Sequence, residues 1–394
     1  MPIESWRRAG RAGLLLCAAT LPQAARAGFD FTPYVAASGY YDSNVFCVSG
    51  PAQALARGGD DRLSDRVLRA VLGSGLDYRY GRQELKATLE GRALRYDHFG
   101  ELDHQEHRAA LDYRLPFGDV VELHATAADE RRQASLADRQ ANLLAIEHER
   151  SGDVSLQLAP GDDWRFDADA HARRLQSPLA EAPDFALTEQ GLRATLRRVG
   201  EGPLSLGLGS ELLQGRFSGI GDAQRFTQYG GGVDLRYEIS GLTRLQATLG
   251  ASRRNEKSAA RDDVSALTGS LGVEHALSGV TSVRLDAFRS IDSDAGVGRS
   301  RIANGAGAAL IWRHAIVGAE LSAQWTRSDF ADEPRRRDDS FEASLRVPYQ
   351  MRRWLAVTPF ARRFVRDSSD AEARYHVTTA GLELRAQFGG EASR

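Results

Sequence analysis

Apolar and polar residues alternate one by one along most of this chain. In residues 243–253, Leu245, Ala247, Leu249 and Ala251 share one side, and the other side holds Arg244, Gln246, Thr248 and Ser252. A period of two is typical of β-strands that have one apolar and one polar face. A helix would instead group its apolar residues three and four positions apart. The pattern therefore predicts an all-β protein.

The same alternation recurs in residues 164–172, 317–326 and 378–388, and charged residues occupy the polar face throughout. A soluble β-sandwich would need larger inward residues to fill the core that its two sheets share. Here the apolar face is mostly Leu, Ala and Val. We therefore expect a transmembrane antiparallel β-barrel whose wall is one strand thick.

The connections between the predicted strands are of two kinds that alternate. Short turns such as Tyr80-Gly81-Arg82 alternate along the chain with longer polar segments such as 42–63. Short periplasmic turns and longer extracellular loops are typical of outer-membrane barrels. Eight short turns and nine longer loops predict about 18 strands. Residues 139–159 are long for one strand and contain Ser151-Gly152-Asp153, and we interpret them as one strand with a bulge or an extension.

The first 27 residues have the three parts of a secretory signal peptide. Arg7, Arg8 and Arg11 precede a short apolar stretch at 14–19, and Ala25-Arg26-Ala27 offers a cleavage site. We expect residues 1–27 to be a cleaved signal peptide and residues 28–394 to form the barrel. The predicted location is the outer membrane of a Gram-negative bacterium.

Aromatic residues are predicted to mark the membrane interface. They fall near predicted strand ends, where an interfacial girdle would lie, and the last strand ends in Phe388, which resembles the C-terminal aromatic signal of assembled barrels. The expected partners are therefore the lipid bilayer and the barrel assembly machinery. The aromatic residues assigned to the girdle are Tyr34, Tyr78, Tyr113, Trp164, Tyr237, Trp312, Trp325, Trp354 and Phe388.

Composition narrows the function further. The net charge is −2, and loss of residues 1–27 would remove more arginine than acid. A nucleic-acid partner, which would need a basic face, is not expected. Cys47 would be the single cysteine of the mature chain, so no intrachain disulfide is expected.

Catalytic motifs are absent from the sequence. It contains no HExxH, no GxSxG and no Walker loop, so we expect neither an enzyme nor a cofactor. Asp167, Asp169 and His171 share a strand face and could hold a divalent ion, but a ladder of charges balanced by arginines is the favoured interpretation. His104 and His107 form a second, weaker metal candidate.

The polar face is the informative surface of the predicted barrel. It mixes arginines with carboxylates, and rings of arginine in a water-filled lumen favour anions. Spaced arginines would give an anionic polymer many weak contacts. Stabilisation of the wall by ion pairs between strands is an alternative role that is compatible with this one. The residues predicted to line the lumen and to contact a polymer are Arg69, Arg92, Arg114, Arg165, Asp167, Asp169, Arg193, Arg236, Arg244, Arg284, Arg346 and Arg385.

One short motif suggests a family. Phe31-Thr32-Pro33-Tyr34-Val35 leads into Tyr40-Tyr41-Asp42-Ser43-Asn44-Val45-Phe46, with Cys47 where an arginine would be expected. This stretch resembles the opening of the EpsL-like outer-membrane barrels that are encoded with exopolysaccharide operons. The resemblance implies a conduit that exports a finished polysaccharide, together with periplasmic and inner-membrane export proteins.

Three other functions stay open from the sequence. A general or solute-selective porin would use a long loop as a constriction, and only 42–63 is long enough. A barrel lipase would need a Ser/His pair on one wall, and no pattern selects one. A structural or adhesive barrel would favour longer outer loops.

Overall fold

The computed structural model describes most of the chain that follows the predicted signal peptide, which itself lies outside the described residues. The described ranges are 28–57, 59–136, 144–177, 185–200, 202–219, 224–257, 263–294, 299–330 and 336–389.

The described residues are almost entirely β-strand. The first half of the chain forms β1 (Gly28–Asp42), β2 (Asp65–Tyr80), β3 (Gln83–Tyr96), β4 (His104–Phe117), β5 (Val121–Gln133), β6 (Ile146–Leu158), β7 (Trp164–Gln176), β8 (Ala186–Val199) and β9 (Leu204–Ser218). The second half forms β10 (Gln224–Ser240), β11 (Thr243–Lys257), β12 (Val264–Ala276), β13 (Thr281–Asp294), β14 (Arg299–His314), β15 (Val317–Phe330), β16 (Arg337–Arg346), β17 (Tyr349–Arg352), β18 (Leu355–Ser368) and β19 (Tyr375–Gln387).

Each strand pairs antiparallel with its neighbours in the chain, and β1 pairs with both β2 and β19, which closes the sheet. The segments β16 and β17 are two parts of one barrel strand, because both pair with β15 and with β18. Pro348 lies between them and has no N–H to donate to the ladder. The protein is thus a closed antiparallel barrel of 18 strands, as the alternation and the turn pattern predict.

The prediction of one strand within residues 139–159 is confirmed, but the predicted start of the strand and its bulge are wrong. The strand there, β6, begins only at Ile146, so the loop that follows β5 is longer than expected. Ser151, Gly152 and Asp153 pair in unbroken register with β5 and with β7, and no bulge occurs. A glycine flanked by polar residues resembles a turn in sequence, but paired strands on both sides satisfy its backbone groups.

The two faces of the wall differ as the alternation requires. Leu68, Leu72 and Leu208 are 67%, 69% and 70% exposed, as befits residues whose surroundings are lipid rather than protein. No helix among the described residues is long and apolar enough to cross a membrane.

The long-loop end of the barrel carries a small hydrophobic core of its own. Residues 43–64 include α1 (Pro51–Ala56), and Phe46, Val48 and Ala54 from this segment are buried against Phe99, Leu102 and Leu136 from two neighbouring loops. We call these six residues the cap cluster. The segment is also tied to the end of β19, because the Asn44 side chain donates a hydrogen bond of 3.1 Å to the His376 carbonyl.

Candidate functional site: the inner wall

Contacts between strands that are not neighbours identify the concave face. Arg69 on β2 reaches across β1 to Glu383 on β19, with Nη2 2.9 Å from Oε2. Ser38 lies directly between them in the register, and its hydroxyl accepts a hydrogen bond of 3.2 Å from Arg69 Nε. Side chains two strands apart can meet only where the sheet curves towards them. Arg69 and Glu383 therefore lie on the inside of the barrel.

Tyr34 makes a second contact of this kind. Its hydroxyl donates a hydrogen bond of 2.5 Å to Glu90 on β3, and the ring passes over Gly73 on β2, where any Cβ would clash with it. Glu90 also pairs with Arg92, which in turn reaches Glu106 on β4 at 3.4 Å. The prediction that Tyr34 belongs to the outer aromatic girdle is wrong, because glycine on the neighbouring strand makes room for the ring inside.

A buried network of ion pairs in the wall centres on Arg197 of β8. Its side chain is 4% exposed and holds Asp167 on β7 at 2.7 Å and Asp234 on β10 at 2.8 Å. Gly207 of β9 lies in register between Arg197 and Asp234 and leaves space for the guanidinium. Asp167 also accepts a hydrogen bond of 3.0 Å from Gln157. This network joins β6, β7, β8 and β10, and it passes over β9.

The register places all twelve predicted lumen residues on the inner face, at two levels. Six arginines lie within four residues of the strand ends at the tight turns: Arg114, Arg165, Arg236, Arg244, Arg284 and Arg385. Asp167, three residues from the start of β7, lies at the same level, and the other five lie further from the tight turns: Arg69, Arg92, Asp169, Arg193 and Arg346.

Several arginines at the tight-turn mouth are exposed although they form ion pairs. Arg284 pairs with Glu274 at 2.7 Å yet stays 60% exposed, and Arg114 pairs with Glu122 at 2.7 Å yet stays 54% exposed. Arg385 lies over the ring of Tyr34, 3.8 Å from its centroid. Such open pairs exchange readily with a passing anion, because exposed ion pairs contribute little stability.

A concave groove lies on the inner wall where three neighbouring strands each have a glycine at an inward position. Gly209, Gly232 and Gly250 lie in one cross-strand row on β9, β10 and β11. They form the floor of a cavity of about 370 Å³ whose border includes Phe288 and Arg193. The hydroxyls of Thr248, Ser252, Thr268, Ser270 and Ser290 surround it. The groove thus combines an aromatic ring, a guanidinium and many hydroxyls.

A second cavity, of about 350 Å³, continues along the same wall, and Arg193 borders both. Asp167, Asp169, Arg197 and Asp234 line this second cavity. Arg193 lies in register with Asp169 and with Glu211 but forms no ion pair within the described part of the chain. Its charge is therefore available to a ligand in either cavity.

Sequence reasoning did not single out the glycine row or Phe288. Each glycine occupies an inward position of an alternating strand, but the row exists only because three registers bring these positions together. Phe288 could have been identified from the sequence, because it is an aromatic residue at a position of the polar face.

The structure separates one of the two metal candidates, whereas Asp167, Asp169 and His171 share the inner face of β7. His104 and His107 are three residues apart on β4 and therefore face opposite sides of the wall. The charge-ladder interpretation assigned Arg165 and Arg173 as the balancing cations, whereas the cation that pairs with Asp167 is Arg197 of the next strand. His107 instead meets Asp129 and His148 on the outer face, with ring-to-carboxylate distances of 3.1 and 3.0 Å. Arg150 Nε, at 2.8 Å, already donates to that carboxylate.

The closed barrel, its apolar outer face and its charged inner wall define the class: the chain is an outer-membrane β-barrel. Residues 219–388, less than half of the chain, match the family described as "Putative beta-barrel porin 2". No curated protein matches the chain.

Solved structures of outer-membrane proteins share the fold at low identity. The FrpB iron transporter from Neisseria meningitidis, F5-1 variant in its apoprotein form, aligns with a TM-score of 0.52 and 11% identity over 87% of this chain, which spans 62% of that protein. A further FrpB F5-1 structure aligns with a TM-score of 0.50 and 9% identity, covering 91% of this chain and 82% of that one. The outer membrane protein OpdK from Pseudomonas aeruginosa gives a TM-score of 0.46 and 12% identity, covering 92% and 99%. At these identities the likeness concerns the fold alone.

Proposed function

We propose that the barrel conducts an anionic polysaccharide across the outer membrane, from the periplasm to the cell surface. The observation that carries the proposal is the groove on the inner wall, a cavity with a glycine floor that Phe288, Arg193 and several hydroxyl-bearing side chains line. The apolar face of a sugar ring packs on an aromatic ring, hydroxyls exchange hydrogen bonds with its alcohols, and a guanidinium binds its carboxylate.

The distribution of charge favours a moving chain over a single trapped molecule. Arginines form an open set at the tight-turn mouth, which faces the periplasm in barrels of this class, and others follow deeper in the wall. A polymer that meets a series of weak contacts is attracted along its whole path. No single contact binds it strongly enough to stop its movement. Conduction requires binding that is favourable enough to enter but weak enough to leave.

The chain itself supplies no driving force under this proposal. Its partners would be periplasmic and inner-membrane export proteins, which the resemblance to EpsL-like barrels implies. No catalytic role is proposed for any residue of the inner wall.

The first experiment uses the purified barrel in a planar lipid bilayer. Alginate, a polymer of uronic acids, is added on the tight-turn side, and dextran of equal length is the neutral comparison. We expect alginate to interrupt the ion current at a concentration about tenfold lower than dextran, since guanidinium–carboxylate contacts roughly double the strength of a neutral hydrogen bond. Arg193→Gln should weaken the alginate block, whereas Arg131→Gln should not, because Arg131 lies on the outer face.

The second experiment deletes the gene and measures surface polysaccharide together with uptake of small solutes. Loss of surface polymer with unchanged solute uptake supports the proposal. Normal polymer with impaired uptake overturns it and makes the protein a porin. An equal block by alginate and dextran would also count against an anionic polymer.

A further inference from the structure

A row of cations crosses the outer face of the barrel near its long-loop end. The strand registers place Arg150 opposite Arg174, Arg216 opposite Arg225, and Arg225 opposite Lys257. Thr188 of β8 joins Arg174 to Arg216 in the same row. The row thus runs over six strands, β6 to β11, with five cations at six positions.

These residues belong to the outer face because their chain neighbours point inside. Glu189, Phe217 and Phe226 flank the row and are buried in the barrel interior, so Thr188, Arg216 and Arg225 point away from it. All three are exposed.

The arrangement is unfavourable without a counter-ion. Like charges that lie directly opposite on neighbouring strands destabilise a sheet. No carboxylate of the described residues pairs with Arg216, Arg225 or Lys257. The opposite situation holds on β15 and β16, where the outer arginines have partners: Arg327 pairs with Asp339 at 2.8 Å, and Arg337 with Asp329 at 2.6 Å.

A shallow cavity of about 310 Å³ lies at the centre of the row. It is lined by Arg216, Arg225 and Lys257 together with Thr188, Gln190, Gln214 and Thr227. We call these seven residues the outer basic patch. Amide and hydroxyl side chains, which both donate and accept hydrogen bonds, therefore lie beside three cations. The three cations are on three neighbouring strands, which span roughly 10 Å.

The position of the patch on the wall indicates its ligand. Moving towards the tight turns, the next outward row holds Gln190, Gln214 and Thr227, and the row after that holds the exposed apolar residues Leu192, Leu212 and Tyr229. Each row is about 6.6 Å further along the strand. The order is charge, then hydrogen-bonding groups, then an apolar surface, and it parallels the order of phosphate, amide or sugar, and acyl chain in a phosphorylated lipid.

We propose that the outer basic patch binds the phosphorylated headgroup of a glycolipid in the leaflet at the long-loop end. Arginine suits this ligand because its planar fork matches phosphate oxygens in pairs. The amides and hydroxyls of the second row bind the polar groups below the phosphate, and Leu192, Leu212 and Tyr229 contact the acyl chains. This site is on the convex wall and does not depend on what passes through the lumen.

The test titrates the purified barrel, in a non-ionic detergent, with diphosphoryl lipid A and measures bound lipid by native mass spectrometry. We expect the variant R216Q/R225Q/K257Q to bind about tenfold more weakly than the unaltered protein. The matched control is R327Q/R337Q, which removes two outer arginines that already have carboxylate partners, and its binding should be unchanged. The heat-dependent shift in electrophoretic mobility reports whether each variant is folded.

Two further binding measurements use the unaltered protein and change the ligand. The same lipid without its phosphates should bind far more weakly, and inorganic phosphate should not displace the intact lipid at comparable concentration. Equal binding of the dephosphorylated lipid would overturn the role of the cations. Displacement by inorganic phosphate at matched concentration would show an anion site without lipid selectivity, and an equal loss in R327Q/R337Q would show that the patch has no special role.

Discussion

Arg197 on β8 reaches over a whole strand to Asp234 on β10, with Nη2 and Oδ1 2.8 Å apart, because the residue between them in the register is Gly207. Tyr34 reaches Glu90 over Gly73, and Arg69 reaches Glu383 over Ser38, in the same manner. Small inward residues on one strand thus let long side chains join the two strands beside it. The inner wall is held by ties that span three strands, in addition to the backbone ladder.

The first prediction concerns the space that Gly207 leaves. In Gly207→Leu the new side chain would begin 3.1 Å from Thr195 Cγ2 and 3.5 Å from Arg197 Cβ, in the path of the guanidinium. We expect the barrel to lose about 1–3 kcal/mol of unfolding free energy through overpacking and displacement of Arg197. Urea titration in phospholipid vesicles, followed by tryptophan fluorescence, measures the loss.

Gly272→Leu is the matched control for this variant. Gly272 lies on the inner face of β12, in register with Gln246, and no atom lies within 4 Å of its hypothetical Cβ. Its substitution should change stability little. Equal destabilisation by both variants would show that glycine at inward positions serves strand geometry and not the ion pair.

The second prediction tests the charge balance around Arg197. In Arg197→Met, the carboxylates of Asp167 and Asp234 lose the cation that lies between them. Removal of one partner of a buried pair costs about 3–5 kcal/mol, since a buried charge is left uncompensated. The same urea titration applies, and Arg284→Met, which removes a 60% exposed arginine, should cost well under 1 kcal/mol.

The carboxylates provide an internal check on this interpretation. If the loss in Arg197→Met arises from uncompensated charge, then changing Asp167 and Asp234 to asparagine in the same chain should restore part of the stability. A triple variant no more stable than Arg197→Met would contradict the electrostatic explanation and would point to lost packing of the arginine stem instead.

The alternation of residues made the faces of the wall predictable, because side chains along a strand point to opposite sides with a period of two. All twelve predicted lumen residues therefore have inward positions in the structure. The partners of these residues were not predictable, since they depend on the register across strands. Tyr34 illustrates the limit: its sequence environment is that of an interfacial aromatic residue, but a glycine 39 positions later gives it an inward position.

The cap cluster lay beyond sequence reasoning for a related reason. Phe46, Phe99 and Leu136 belong to three separate loops that carry no periodic pattern, and only the closed barrel brings the loops together. The sequence indicated that 42–63 is the longest loop, but not that it would have a core.

The third prediction concerns this cap. Phe46 is 1% exposed, and its ring meets the ring of Phe99 edge-on with centroids 4.7 Å apart. Phe46→Ala removes about 3 kcal/mol or more of packing, and the affected unit is a small local cluster. We expect residues 43–64 to become about a hundredfold more sensitive to protease while the barrel remains folded, because β1 and β2 still pair below the loop.

Limited proteolysis with mass-spectrometric mapping measures this sensitivity. Phe31→Ala is the control, since Phe31 is half exposed on the outer face and has no contact with the cap cluster. Cleavage of 43–64 at the unaltered rate in Phe46→Ala would show that hydrogen bonds such as that from Asn44 to His376, and not the apolar cluster, hold the segment.

The last prediction follows from the pKa of Asp103, which closes the loop between β3 and β4. Its carboxylate accepts hydrogen bonds of 2.6 Å from Arg95 and of 2.8 Å from the Tyr96 backbone N–H, and these bonds hold the pKa below the ordinary value of 3.8. A pKa lowered by folding stabilises the folded loop at every pH above the unfolded value and ceases to do so as the pH falls through the folded value. We therefore expect pepsin, which is active in acid, to cut residues 97–103 increasingly as the pH falls below about 3.8.

In Asp103→Asn the same cutting should already occur at the upper end of that pH range and should vary little with pH. Asp119→Asn, at the opposite end of the barrel, is the control and should behave like the unaltered chain. A pH profile that is the same with and without the Asp103 carboxylate would show that another group controls the loop.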